Sequence, residues 1–207
     1  MSDKREARRQ LIALARRLQR PGSGTSLRVL RERTADMQFP DLRPILGPLP
    51  WAVAGAVATR LYMPERATRD LDIAVLRRDR AEAERKLTGA GFTRQSELAI
   101  GGSTWLSPDG TPVDVVELEA PWAAKAIVEA QNNRDSQGLP VLPLPYLVLM
   151  KLQAGRVQDL ADVTRMLGQA DEGVLNATRQ LFERHAPEDL DDLESLIALG
   201  QLEMRNP

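Results

Sequence analysis

Residues 66–76, RATRDLDIAVL, set two aspartates at the mouth of an apolar run. Leu71, Ile73, Val75 and Leu76 suit a buried strand, whereas Asp is among the residues least favoured in strands and cores. Either Asp70 and Asp72 stand at a solvent edge, or a cation meets them. Residues two apart on a strand share a face, so the two carboxylates are expected to project together. Their Cα atoms would lie about 6.6 Å apart. Like charges that close repel unless a cation lies between them.

What that cation can be is limited by composition. The 207 residues include no cysteine, which excludes disulfides and thiolate metal sites and suits a reducing compartment. The single histidine, His185, rules against a His-based metal site or a Ser-His-Asp triad, and its setting in FERHAP suits a helix end. Oxygen donors remain, and they favour Mg²⁺ or Mn²⁺ over zinc. The N-terminus is charged from its first residues, unlike a signal peptide. The longest uncharged run, ILGPLPWAVAGAVAT, is too short and too broken by Pro and Gly to cross a bilayer. The expectation is a cytoplasmic protein with no membrane partner.

Hydrophobic periodicity orders the chain as helix, linker, mixed α+β core and helical tail. Ala7, Leu11, Leu14, Ala15 and Leu18 recur at helical spacing within residues 4–19. PGSGTS follows as a linker, lacking the Lys-Ser/Thr of a phosphate-binding P-loop. Short helices are expected within residues 26–35 and around DLRPIL. PWAVA reads as a strand, Gly55 as a break, AVATRLY as a helix, LDIAVL as a strand and RRDRAEAERKLTGAG as a helix. STWLS and TPVDVVEL alternate about an Asp109-Gly110 turn, a hairpin pattern. APWAAKAIVEAQNN reads as a helix and LPVL as a short strand, and everything beyond Pro145 is expected to be helical. The domain reading is a basic helical segment with linker over 1–39, a core over 40–143 and a helical region over 144–207.

Asp114, in PVDVVEL, supplies a third carboxylate near the start of another strand, while Glu117 faces the other way and Asp109 serves the turn. Three such acids can hold two divalent ions about 3.5–4 Å apart, the arrangement that clamps attacking and leaving oxygens at phosphorus. Gly55, between a strand and a helix, lets backbone approach a phosphate. Lys151 and Arg156, read as cations five residues apart on one helix, suit a triphosphate. Asp159 is placed to pair with either or to serve as a base toward the acceptor. A helix-surface ion-pair network is the alternative for this group, and a surface charge is the alternative for Arg66.

Two segments resemble a known family. AGAVATRLYMPERATRDLDIAV is similar to the signature of the minimal nucleotidyltransferase superfamily, with its polymerase-beta-like fold. Gly55, Arg66, Thr68, Asp70 and Asp72 fall on that signature, and Asp114 takes the place of its later acid. PLPYLVLMKLQAGRVQDLADVTRML resembles the downstream helix of the AbiEii-type branch, which also includes the MenT toxins. Lys151, Arg156, Asp159 and Asp162 occupy its K-x-x-A-x-R-x-x-D-x-x-D places. Together the matches span roughly residues 50–167. Two positions depart from the pattern. Ala56 stands where the signature has Gly or Ser, leaving only a backbone N–H for phosphate, and Gln158 replaces a frequent Lys or Arg.

The resemblance implies a small mixed β-sheet flanked by helices and followed by a C-terminal helical bundle. It implies transfer of an NMP from NTP to an acceptor hydroxyl, with release of pyrophosphate. In that reading Asp70, Asp72 and Asp114 hold Mg²⁺ or Mn²⁺, and Gly55, Ala56, Arg66, Thr68, Lys151 and Arg156 hold the nucleotide. A tRNA or other RNA 3′ end is the favoured acceptor, and a cognate antitoxin is a candidate partner. The rivals are an inactive nucleotide-binding regulatory or antitoxin-like module and a small-molecule (antibiotic) nucleotidyltransferase. Charge is uneven: residues 1–34 carry ten Lys/Arg against three Asp/Glu, and residues 171–207 carry three Arg against nine Asp/Glu. These ends either pack together, or the basic one meets a polyanion such as RNA.

Overall fold

In the computed structural model, which describes residues 2–22, 39–63 and 68–204, the run LDIAVL is a strand held between two others. Leu71, Ile73, Ala74 and Val75 are all fully buried, so both faces of the strand are covered and only Asp72 breaks the apolar run. That double burial explains why the sequence here is nearly continuous in apolar residues instead of alternating.

Two compact units emerge, one of residues 39–61 and 68–143, the other of residues 2–22, 62, 63 and 144–204. The first is built on a mixed five-stranded sheet of order β1-β2-β5-β4-β3. Its strands are β1 (Trp51–Val53), β2 (Leu71–Leu76), β3 (Thr93–Glu97), β4 (Gly102–Leu106) and β5 (Pro112–Leu118). β2 pairs with β5 in parallel and with β1 antiparallel, and β5-β4-β3 form an antiparallel meander. Among the described residues, four α-helices belong to this unit: α2 (Arg43–Leu46), α3 (Gly55–Thr59), α4 (Arg80–Gly89) and α5 (Ala123–Ala130). α3, α4 and α5 pack on β2. The hairpin expected about Asp109-Gly110 is present as β4 and β5. Asp109 serves the turn as read, accepting from the Thr111 N–H at 3.2 Å and from the Ser107 hydroxyl.

β3 escaped the sequence reading. Its residues, TRQSE, are all exposed and offer no apolar alternation, so only pairing with β4 makes them a strand. LPVL, expected as a strand, makes only isolated bridges, Val53 with Val141 and Arg134 with Pro140. β1 is three residues long and Pro140 has no N–H to extend the ladder.

The second unit is helical: α1 (Ser2–Leu18), α6 (Leu144–Ala154), α7 (Val157–Gln169), α8 (Glu172–His185) and α9 (Leu190–Met204). Leu149, Leu152, Val163, Met166, Leu167, Phe182 and Leu193 form its core, none more than 0% exposed. α7 and α9 cross at Gly168 and Gly200, where a Cβ added to Gly200 would lie 2.1 Å from the Thr164 carbonyl oxygen. α8 is capped by Asp171, whose carboxylate accepts from the Val174 N–H at 2.8 Å, and ends at His185 as expected. The helix expected within residues 26–35 lies outside the described residues. Among those described, no helix is long and apolar enough to cross a membrane.

Candidate active site

The parallel register of β2 and β5 sets Asp72 directly beside Asp114. Neighbouring strands are about 4.8 Å apart, which brings two carboxylate-bearing positions side by side on one sheet. Both residues are half-buried between fully buried neighbours, Leu71 and Ile73 on one strand, Val113 and Val115 on the other. On the far side of β5, Thr104 of β4 lies opposite Asp114.

Gly55 completes this corner. Its φ of +59° lies in the left-handed region, and a Cβ built on it would sit 1.7 Å from the Asp72 Oδ2 atom. Glycine is therefore required twice over, by backbone conformation and by the carboxylate against it. The neighbouring Ala54 N–H donates to the Asp72 carbonyl at 2.8 Å, locking the turn onto β2. Ala56 follows in α3, whose first turn leaves N–H groups without intrahelical acceptors.

Asp70 behaves differently from the expectation. β2 starts at Leu71, so Asp70 precedes the strand and its direction is not set by the pleat. It is exposed, and one of its oxygens accepts from the Thr68 hydroxyl. Arg66 lies outside the described residues. Among the described residues, no three Asp, Glu or His side chains stand close enough together to hold a metal ion as positioned. Asp72 and Asp114 nonetheless present the hard oxygen donors that suit Mg²⁺ or Mn²⁺, and the Gly55 turn keeps its own Cβ away from the Asp72 oxygen.

In the helical unit, Lys151 and Arg156 do not share a helix. α6 ends at Ala154, Gly155 turns the chain at φ +67°, and Arg156 is the extended N-cap residue of α7. Lys151 is buried and Arg156 exposed. The glycine in QAGRV carried the signal, since a left-handed Gly commonly ends a helix. The Lys151 Nζ donates to Asp159 Oδ1 at 3.1 Å and to Asp162 Oδ2 at 2.8 Å. The three residues are 5%, 7% and 3% exposed, so the pairing is a buried cluster and not a surface network. Asp159 Oδ2 is buried with no hydrogen-bond partner among the described residues. Asp162 joins the cluster from a place that the sequence shows, three residues after Asp159 on one helix face.

The charged ends of the chain meet each other where they are described. Arg8, 6% exposed, donates from Nη2 to Asp189 at 2.6 Å and from Nε to Asp192 at 2.7 Å. Arg5 reaches Glu188 and Asp189, each at 3.0 Å, and Arg9 lies 3.7 Å from Asp192. Arg16, Arg17 and Arg20 remain exposed on or just beyond α1.

The chain matches no protein-family model and no curated protein. Among solved structures, ANT(2″)-Ia in complex with adenylyl-2″-tobramycin overlays with a TM-score of 0.42 at 19% identity, covering 74% of this chain and 87% of that one. A solution structure of the same antibiotic-resistance factor gives 0.40 at 19% identity, over 85% and 90%. A nucleotidyltransferase candidate from Thermotoga maritima gives 0.39 at 18% identity, over 70% and 91%. At these scores the likeness assigns no activity by itself.

Proposed function

We propose that this chain is a metal-dependent nucleotidyltransferase that moves an NMP from NTP to an acceptor hydroxyl and releases pyrophosphate. The observation that carries the reading is the in-register pair Asp72 and Asp114 on parallel strands, with Gly55 turned against the Asp72 carboxylate. Two carboxylates that strand register brings side by side are hard oxygen donors of the kind a divalent cation takes. Bound Mg²⁺ or Mn²⁺ would supply charge neutralisation at the transferring phosphorus. Asp72 and Asp114 would hold the ion, with Asp70 joining them from the segment before β2. Asp114 would also orient the acceptor hydroxyl. The first turn of α3, opening at Gly55 and Ala56, would receive phosphate oxygens on its N–H groups. Thr68 supports this site through Asp70, and Arg66 would add a cation near it. Lys151, Arg156 and Asp159 belong to the helical unit, where Lys151 is held between Asp159 and Asp162.

The favoured acceptor is an RNA 3′ end, as in a toxin-like enzyme with a cognate antitoxin. Arg5, Arg8 and Arg9 are taken up by Glu188, Asp189 and Asp192. An RNA contact by the N-terminal helix therefore falls to the exposed Arg16, Arg17 and Arg20. The same pairing removes those acids as a recognition surface for a cationic antibiotic. The test offers the protein NTPs radiolabelled at the α-phosphate, with Mg²⁺ or Mn²⁺ and with total tRNA, the protein itself or aminoglycosides. Label is expected in tRNA, and Asp72→Asn is expected to lower it by about two to three orders of magnitude. Equal labelling by the variant would overturn the site. NTP binding without any labelling would favour a regulatory module instead.

A further inference from the structure

We propose that Arg8 is a positioning residue for Lys151, holding the turn that sets the Lys151 ammonium between two buried carboxylates. Arg8 sits on α1 and is 6% exposed. Its guanidinium meets three partners at once: Asp192 through Nε, Asp189 through Nη2, and the carbonyl of Leu152 through Nη1 at 3.1 Å. The first two contacts tie α1 to the segment that opens α9. The third reaches a different element, the last turn of α6.

That carbonyl is a telling place to be held. The final four carbonyls of a helix have no intrahelical N–H to accept from. Gly155 donates to the Lys151 carbonyl at 3.1 Å, and Arg8 caps the next one, Leu152. The carbonyls of Lys151 itself and of Leu152 are therefore both held just before Gly155, at φ +67°, turns the chain away into α7. Fixing this turn fixes the root of the Lys151 side chain, whose Nζ must stand between Asp159 Oδ1 and Asp162 Oδ2. A planar guanidinium with five donors can serve two carboxylates and a carbonyl together, and an ammonium on a flexible stem cannot do so in the same geometry. The basic N-terminal helix thus acts as an internal brace on the turn that carries the buried lysine.

Arg8→Lys keeps the charge beside Asp189 and Asp192 but loses the fork to Leu152. Arg5→Gln weakens the same acidic cluster without touching α6, and serves as the control. A pulse of amine-acetylating reagent, read by mass spectrometry at Lys151, reports its accessibility without any nucleotide. Arg8→Lys is expected to raise Lys151 acetylation about tenfold, while Arg5→Gln leaves it at the wild-type rate. Wild-type acetylation of Lys151 in Arg8→Lys overturns the proposal, and so does an equal rise in Arg5→Gln. If Arg8→Lys does not fold, the neutral triple variant Arg8→Met, Asp189→Asn, Asp192→Asn leaves no buried charge unpaired and also lacks the donor. Unchanged Lys151 acetylation in that variant refutes the brace equally. Raised acetylation in a protein that transfers no nucleotide would uphold the brace and overturn only the enzymatic reading.

Discussion

The two units differ in what stands beside their most conspicuous acids. In the sheet unit Asp72 and Asp114 are set side by side by strand register, acid beside acid. In the helical unit the deeply buried acids each meet a cation: Asp159 and Asp162 meet Lys151, Asp189 and Asp192 meet Arg8, and Glu203 meets Arg165 at 3.3 Å. The second arrangement is part of how the helices are joined, and the first brings two oxygen donors to one place on the sheet.

The largest expected effect lies in the helical unit. Lys151→Met leaves Asp159 and Asp162 buried without a counter-charge, and thermal or urea unfolding is expected to show a loss of about 3–5 kcal/mol. A loss under about 1 kcal/mol would erase the contrast between the units. Next is Gly55→Ala, which forces a side chain into a left-handed backbone and against the Asp72 carboxylate. It is expected to cost about 1–2 kcal/mol from the backbone alone. Because Asp72 must also shift, transfer activity should fall further than stability does.

Glu84 tests whether a paired acid in the sheet unit behaves like those of the helical unit. Burial pushes its carboxyl up, but the Ser103 hydroxyl at 2.6 Å and Arg80 at 2.8 Å outweigh burial and hold it below its ordinary value. A depressed folded pKa contributes stability that is complete above the unfolded value and is lost as pH falls through the folded one. Unfolding followed from about pH 5 to about pH 3 should therefore show Glu84→Gln losing less stability than the wild type. The smallest effect is Asp114→Asn, which relieves the repulsion beside Asp72. It is expected to leave stability unchanged or raise it by up to about 1 kcal/mol, measured by the same unfolding curves, while removing transfer activity. A marked destabilisation would make Asp114 a structural acid like those of α7 and α9.

Much of this arrangement was legible in the chain itself. The apolar run after Asp70, the Asp109-Gly110 turn and the helical periods beyond Pro145 are local patterns, and each appears as a strand, hairpin or helix. TRQSE was illegible because a fully exposed edge strand carries no burial pattern and exists through its partner alone. Asp70, Asp72 and Asp114 were legible as candidates because acids amid strand-forming apolar residues stand out in sequence. That Asp72 and Asp114 share a register, while Asp70 falls before the strand, required the β2-β5 pairing.

The sequence by itself determined where the acids and apolar runs lie, and so which segments must be buried and which residues are chemically conspicuous. Tertiary structure decided who faces whom. Arg8 and Asp192 are separated by 184 positions, and no local pattern links them. Lys151 and Arg156 lie five apart in sequence, yet the left-handed turn at Gly155 sends one inward and leaves the other in solvent. Propensity and spacing act over a few residues, whereas the partner of a buried charge is chosen by whichever distant element packing brings within reach.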